Sequence, residues 1–418
     1  MIPRAGPRTA LAACAAALLL AAGAEPLPAQ SAPQPGQPES ARPEPAQPES
    51  AQPGRVLSEA DQFLAAADAN RFDVVLYLLM KGVDANIAGP KGYTALIVAA
   101  AKGNEEIVDL LLSRGADVNR ASDEGWTPLM EAARYGKDKV LGKLLKAGAD
   151  TGARSKERNE TALMIAAGGE TVAPVTMLLE AGADPNVLGG SNRVTALHRA
   201  LASQQAASVE IAGELLVHEA DAGKPAPDGY TPLMAAVDSG VLAKMMLVLS
   251  EGVDVNAAAA DGRTALSLAT GQGNAAMIRE LLRAGAKPAA VAGPGGSTAL
   301  GEAVRSGQAA AVKLLLDQGL DPNAPARGGK LPLRIAAENG YDDVAALLMD
   351  KGADVNGLGD DGTTALMWAA NNGYRSLVEL LLERGANAAI RAKDGWSAAA
   401  AARMAGHDDI ADLLERRI

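Results

Sequence analysis

The chain has 418 residues, 48% of them apolar and only 3% aromatic, with a formal net charge of −11. That length holds two or three ordinary domains or one long repeat array, and a core so poor in rings must be packed from Ala, Leu, Val, Ile and Met, which favours close-packed helices over a β-sandwich. The acidic balance, without a long basic run, excludes nucleic acid as a partner, because phosphate affinity comes from clustered Lys and Arg.

The first segment reads as an address rather than as fold. Arg4 and Arg8 precede an apolar run from Ala10 to Ala22, and Ala22, Gly23 and Ala24 form a small-x-small cleavage signal. Residues 1–24 are expected to be a signal peptide, and the protein to be exported, most naturally to a bacterial periplasm. The run is too short to cross a bilayer, and no later stretch reaches about 18 uncharged apolar residues, so no transmembrane segment is expected. The single cysteine, Cys14, follows Leu11, Ala12 and Ala13, a string similar to a lipoprotein box. A lipid anchor on Cys14 is therefore the alternative, but the apolar run continues past it to Leu20, which favours cleavage near Glu25. A mature chain without cysteine has neither disulfides nor thiol chemistry. Residues 25–55 are dense in Pro, Gln, Glu and Ala, and QPESA occurs from Gln37 and again from Gln47. Such a composition buries too little apolar surface to offset its ordering entropy, and is expected to be a disordered linker.

From there a period governs the chain. Thr-Ala-Leu or Thr-Pro-Leu recurs at Thr94, Thr127, Thr161, Thr195, Thr231, Thr264, Thr298 and Thr364, with degenerate copies at Leu331 and Ser397. The steps are 33, 34, 34, 36, 33, 34, 33, 33 and 33 residues, a repeat architecture. Each anchor Thr is placed to N-cap a short helix. Small or apolar residues at offsets +2, +5 and +6 give that helix one buried stripe. A Gly nine residues after most anchors suits a left-handed helix end. A Val/Leu-rich second helix follows, then Gly-Ala-Asp-x-Asn, as at Gly115 to Asn119, which is turn chemistry. One such pair cannot bury its own apolar face, so neighbours must stack. The fold class expected is all-α, an α-solenoid of about eleven helix-turn-helix repeats with short hairpin loops.

Asp123 to Leu129 and Asp228 to Leu233 carry Asp-x-Gly-Trp-Thr-Pro-Leu and Asp-Gly-Tyr-Thr-Pro-Leu. This pattern resembles the ankyrin repeat, and the resemblance covers residues 89–418. Counting back from Gly82 puts Asp61 at the anchor and Asn70 at the turn-glycine position, so residues 56–88 are expected to be an N-terminal cap. The array then spans 56–418, with internal repeats at 89–387 and a C-terminal cap at 388–418. The family usually places His three residues after the anchor. Here that offset holds Ile97, Met130, Met164, His198, Met234, Ser267, Gly301, Arg334, Met367 and Ala400, so apolar packing is expected to replace most of the family's Thr–His bonding.

No catalytic constellation stands out. There is no HExxH, no P-loop and no nucleophile elbow, and three histidines leave little room for a metal. Asp354, Asn356, Asp360 and Asp361 are better read as turn residues than as a calcium loop, since no Glu follows at its last position. No cofactor or metal is expected, and no enzyme activity. The surface is more informative. The residue just before the anchor sits at the hairpin tip, and there stand Tyr93, Trp126, Tyr230, Arg263 and Trp396. Tyr135 at offset +8 and Trp368 at +4 are expected on the same concave side. Rigid rings and arginines are the usual anchors of protein interfaces. These seven residues are the candidate partner-binding set, and the partner expected is a protein with a basic or neutral face. An interface of standard size, roughly 1,200–2,000 Å², would need about four to six repeats.

The Thr195 repeat differs twice. It alone keeps the family His, and three extra residues fall among 203–208. The insertion reads first as neutral drift, with a bend or a partner contact as alternatives. The competing functional reading is an enzyme, or a metal or small-molecule site, built from His198, Arg199 and His218.

Overall fold

The computed structural model describes residues 58–288 and 298–417. The expected signal peptide, the linker, Cys14 and Val56 lie outside the described residues. The chain divides into two compact units, residues 1–184 with 189–191, and residues 185–188 with 192–418. Among the described residues there are twenty-two α-helices and no strands, only isolated bridges at hairpin bases.

In the first unit the helices are α1 (Glu59–Asp68), α2 (Phe72–Met80), α3 (Ala95–Lys102), α4 (Glu105–Ser113), α5 (Pro128–Arg134), α6 (Asp138–Lys146), α7 (Ala162–Ala167) and α8 (Ala173–Glu180). Odd helices pack on odd helices and even on even, giving two parallel rows. The second unit repeats this with α9 (Ala196–Ala202), α10 (Ser208–Val217), α11 (Pro232–Asp238), α12 (Leu242–Leu249), α13 (Ala265–Gly271), α14 (Ala275–Arg283), α15 (Ala299–Arg305) and α16 (Ala309–Asp317). It continues with α17 (Pro332–Asn339), α18 (Asp342–Asp350), α19 (Ala365–Asn371), α20 (Arg375–Glu383), α21 (Ala398–Met404) and α22 (Asp408–Glu415). Each unit is an all-α repeat solenoid.

The anchors do what their chemistry dictates. Thr94 accepts from the Ile97 amide at 3.3 Å, Thr127 from Met130 at 3.3 Å and Thr231 from Met234 at 3.2 Å. Ser397 caps α21 in the same way at 3.2 Å, whereas Leu331, lacking a side-chain acceptor, leaves α17 uncapped. Ala99, Ala100, Ala132 and Ala133 are buried on the first-row helices, as are Val108, Leu111, Leu141 and Leu144 on the second-row helices packed against them. Each fully buried Leu or Val contributes about 1.5–3 kcal/mol, so this seam is the main cohesive term. Ile97, Met130, Met164, Met234 and Met367 are sealed at the family-His offset, as expected.

The first helix pair departs from the expectation in register. Ser58, not Asp61, caps α1, and Asp61 closes a capping box by taking the Ser58 amide at 3.3 Å. Asp61 is thus the third helical residue and not the anchor. Asn70 does occupy the turn position, with φ of 54°. Tyr341 and Tyr374 lie against Gly307 and Gly340 of the preceding repeat, where a Cβ would come within 3.0 and 2.8 Å of their rings. Bare backbone at those turns is what admits the rings.

The Gly-Ala-Asp-x-Asn turns carry a feature that turn chemistry does not reveal. Asn86 donates to the Gly115 carbonyl at 3.1 Å and accepts from the Asp117 amide at 2.7 Å. Asn119 bridges in the same way to Gly148 and Asp150. In the second unit Asn186, Asn256, Asn323 and Asn356 do the same to the following repeat. Gly152 and Gly223 hold the equivalent positions without a side chain to make these bonds.

Candidate protein-binding surface

The tip residues close the hairpins through their backbones. The carbonyls of Tyr93, Trp126, Tyr230, Arg263 and Trp396 each accept from an amide four residues earlier, at 2.8–2.9 Å. Their side chains then turn back on the first-row helices. In the first unit Tyr93 lies close enough to Glu131 on α5 for each to shift the other's titration. Burial, aided by the Glu131 and Glu124 charges, pushes the Tyr93 hydroxyl up to about 12. Burial also raises Glu131, which is 3% exposed and whose Oε2 has no hydrogen-bond partner. Arg134 places its guanidinium carbon 5.2 Å from the Trp126 ring centre and 5.4 Å from that of Tyr135. Tyr93, Trp126 and Tyr135 therefore form one cluster, with Tyr93 and Trp126 half-buried and Tyr135 exposed.

The second unit has two further clusters. Tyr230 donates from its hydroxyl to Asp238 at 2.5 Å, and burial together with that carboxylate raises its pKa. Arg263 is exposed and bonds Asp261, two residues earlier, at 2.6 Å. Farther along, Trp368 donates from its indole nitrogen to Thr363 at 3.0 Å and meets Trp396 edge to face at 5.8 Å. Arg334 stacks on Trp368 at 5.0 Å while pairing with Glu338 and Asp361 at 3.0 and 2.9 Å. Lys330 joins the same Glu338 at 2.8 Å.

The side chains that hold these rings, Glu131, Arg134, Asp238, Arg334 and Glu338, lie outside the candidate partner-binding set. A signal for three of them existed. The tip residue and the residue eight places on are complementary in three repeats: Trp126 with Arg134, Tyr230 with Asp238, and Lys330 with Glu338. That pairing was legible as a spacing.

The residues of the competing site are used one by one. His198 is 2% exposed. Its Nδ1 accepts from the Thr195 amide at 3.3 Å and lies 2.8 Å from the Thr195 hydroxyl. Nε2 therefore carries the proton and donates to the Tyr230 carbonyl of the next repeat at 3.1 Å. Burial holds the ring below its ordinary pKa, consistent with this neutral tautomer. Arg199 is half-buried on α9, and His218, at the far end of α10, bonds the Glu214 carbonyl of its own helix at 3.1 Å. Among the described residues, no group of three or more His, Cys, Asp or Glu could hold a metal ion.

The insertion has a structural partner. Lys244 on α12 is 1% exposed and reaches across to the end of α9. Its ammonium donates to the carbonyl of Leu201 at 3.0 Å and to that of Ser203. Gln204 adds a bond to the Ser239 carbonyl at 3.3 Å. α9 keeps the length of α11, α13 and α15, but the chain leaves it at Ser203 in an extended conformation (φ −65°, ψ 141°), and the Lys244 ammonium takes the carbonyls there, at the negative end of the helix dipole.

The family comparison agrees with the fold. A family model described as ankyrin repeats (3 copies) matches residues 63–155, 201–292, 290–358 and 333–417, which is most of the chain. The chain belongs to the ankyrin-repeat family. None of the curated proteins compared matches it. Ankyrin repeats generally mediate protein–protein interaction, and proteins built of them are typically non-enzymatic scaffolds. No helix among the described residues of this ankyrin-repeat chain is long and apolar enough to cross a membrane.

Proposed function

We propose that this ankyrin-repeat chain is a non-catalytic scaffold or regulator of the bacterial cell envelope. It binds a protein partner on its hairpin tips and first-row helices. The observation that carries the reading is the arrangement of the rings: Tyr93, Trp126, Tyr135, Tyr230, Trp368 and Trp396 keep an accessible edge or face while a bond or stack fixes each cluster. Rings fixed before binding lose little rotamer entropy on contact and make good interface anchors. The acidic balance favours a partner whose face is neutral or basic on average. Arg4, Arg8, the apolar run and the Ala22 to Ala24 signal support export, and the segment 25–55 supports tethering of the array away from its point of anchorage.

The test is in-cell crosslinking of the full chain, with capture from the envelope fraction. Capture should fall at least tenfold in a Tyr93→Ala/Trp126→Ala/Tyr230→Ala variant that retains its helical circular dichroism. Capture unchanged by the triple variant would count against binding at these tips. Recovery of the chain only from the cytoplasm, with residues 1–24 intact, would remove the envelope assignment.

A further inference from the structure

We propose that Arg134 is where the first unit takes a carboxylate from its protein partner. The proposal rests on the protein-binding reading above and gives it a chemistry at one point. Two repeats carry the same acid and the same base at the same offsets: Glu131 with Arg134 after Thr127, and Glu302 with Arg305 after Thr298. In the second case the pair closes. Arg305 donates to one Glu302 oxygen from Nε at 3.0 Å and from Nη2 at 2.5 Å. In the first case it does not. Glu131 is turned inward toward Tyr93, with Oε2 unpartnered, and Arg134 is drawn onto the rings of Trp126 and Tyr135. Among the described residues Arg134 closes no ion pair or side-chain hydrogen bond, and its charge acts on Glu131 and Tyr93 only from a distance.

A guanidinium stacked by its face still presents its N–H donors at the edge. That edge matches a carboxylate with two parallel bonds, a geometry that Lys cannot supply. The stack fixes the fork beforehand, so little ordering cost is left for binding. Burial raises the Glu131 pKa, and the neighbouring Arg134 charge acts to lower it. The ligand class is therefore an Asp or Glu side chain on an acidic stretch of the partner. A partner that is neutral or basic on average still meets this spot with an acid.

The experiment uses the full chain in a Trp368→Phe/Trp396→Phe background, which leaves Trp126 as the only tryptophan. An acetylated, amidated tetraglutamate peptide is titrated while Trp126 emission is followed, with tetralysine as the opposite probe. A saturable change with tetraglutamate alone is expected. Its affinity should fall at least tenfold in Arg134→Gln and several-fold in Arg134→Lys, with helical content unchanged. No saturable response, or one that Arg134→Gln leaves intact, overturns the proposal. The two readings fail separately. Partner capture that is lost in the triple tip variant but insensitive to Arg134→Gln removes only the carboxylate site. Capture insensitive to both removes the protein-binding surface itself.

Discussion

Lys244→Met isolates what the buried ammonium contributes at the inserted turn. Methionine keeps most of the volume and removes the donors. The carbonyls of Leu201 and Ser203 then lose a charged partner. A hydrogen bond to a charged group contributes about 1.5–3 kcal/mol net, so two give roughly 3–6 kcal/mol. Relief from burying an unpaired ammonium returns several kcal/mol of that. The expected net loss is about 2 kcal/mol, concentrated at α9 and α10. Urea denaturation should show a lower midpoint, and amide hydrogen exchange should lose protection in those two helices, since repeat arrays open locally. The pH dependence carries a sign of its own. Burial lowers the Lys244 pKa in the folded state. Between that lowered value and the unfolded one, near 10.4, the unfolded chain binds more protons, so folding stability rises with pH. The wild type should therefore gain on the variant as pH climbs through that interval. A variant as stable as the wild type, with α9 equally protected, would refute the assignment of Lys244 as the insertion's cap.

Glu219 holds a left-handed backbone, φ 65°, where the other repeats place glycine; Glu219→Gly should stabilise the second unit by about 1 kcal/mol, read as a higher urea midpoint. Gly152→Asn should restore the missing bridge toward Gly182 and Asp184 and add about 1 kcal/mol, seen as slower exchange at those turns. His198→Met copies the residue of four other repeats and should cost no more than about 1 kcal/mol. Because burial lowers the His198 pKa, its contribution is full above the unfolded value, about 6.5, and is lost as pH falls through the lower folded value. The variant should lose that part of the acid sensitivity in equilibrium melts. Loss of an activity or of ligand binding in His198→Met would revive the competing site.

The repeat period and the capping threonines were legible because they are local: one side chain, one amide, three residues apart. Ser397 shows how well that logic travels, and Ser58 shows its limit, since a count back from Gly82 missed a longer first helix by three residues. The asparagine bridges were half legible. Their recurrence was visible, but a donor and an acceptor in the next repeat are a property of stacking, not of the turn. At the candidate surface the rings were found by position. Their partners were not, because Glu131 and Arg134 look like any intrahelical pair until a neighbouring ring competes for the cation. Lys244 was invisible for a similar reason, since nothing near it in sequence says that the chain leaves α9 extended at Ser203 one repeat away.

The junction between the Thr195 and Thr231 repeats gathers several of these features. Gly223 withholds the asparagine bridge there, while Lys244, Gln204 and the His198 ring tie the same two repeats together elsewhere. In a linear array, cohesion between neighbours sets where the chain parts first. Other junctions are fastened by a neutral amide or by carboxylate pairs, such as Lys351 with Asp317 and Arg375 with Asp409, whose acids titrate below the ordinary range. This one is fastened by a lysine and a histidine, so its strength follows proton concentration, and the place at which the array comes apart under load should shift along the chain with pH.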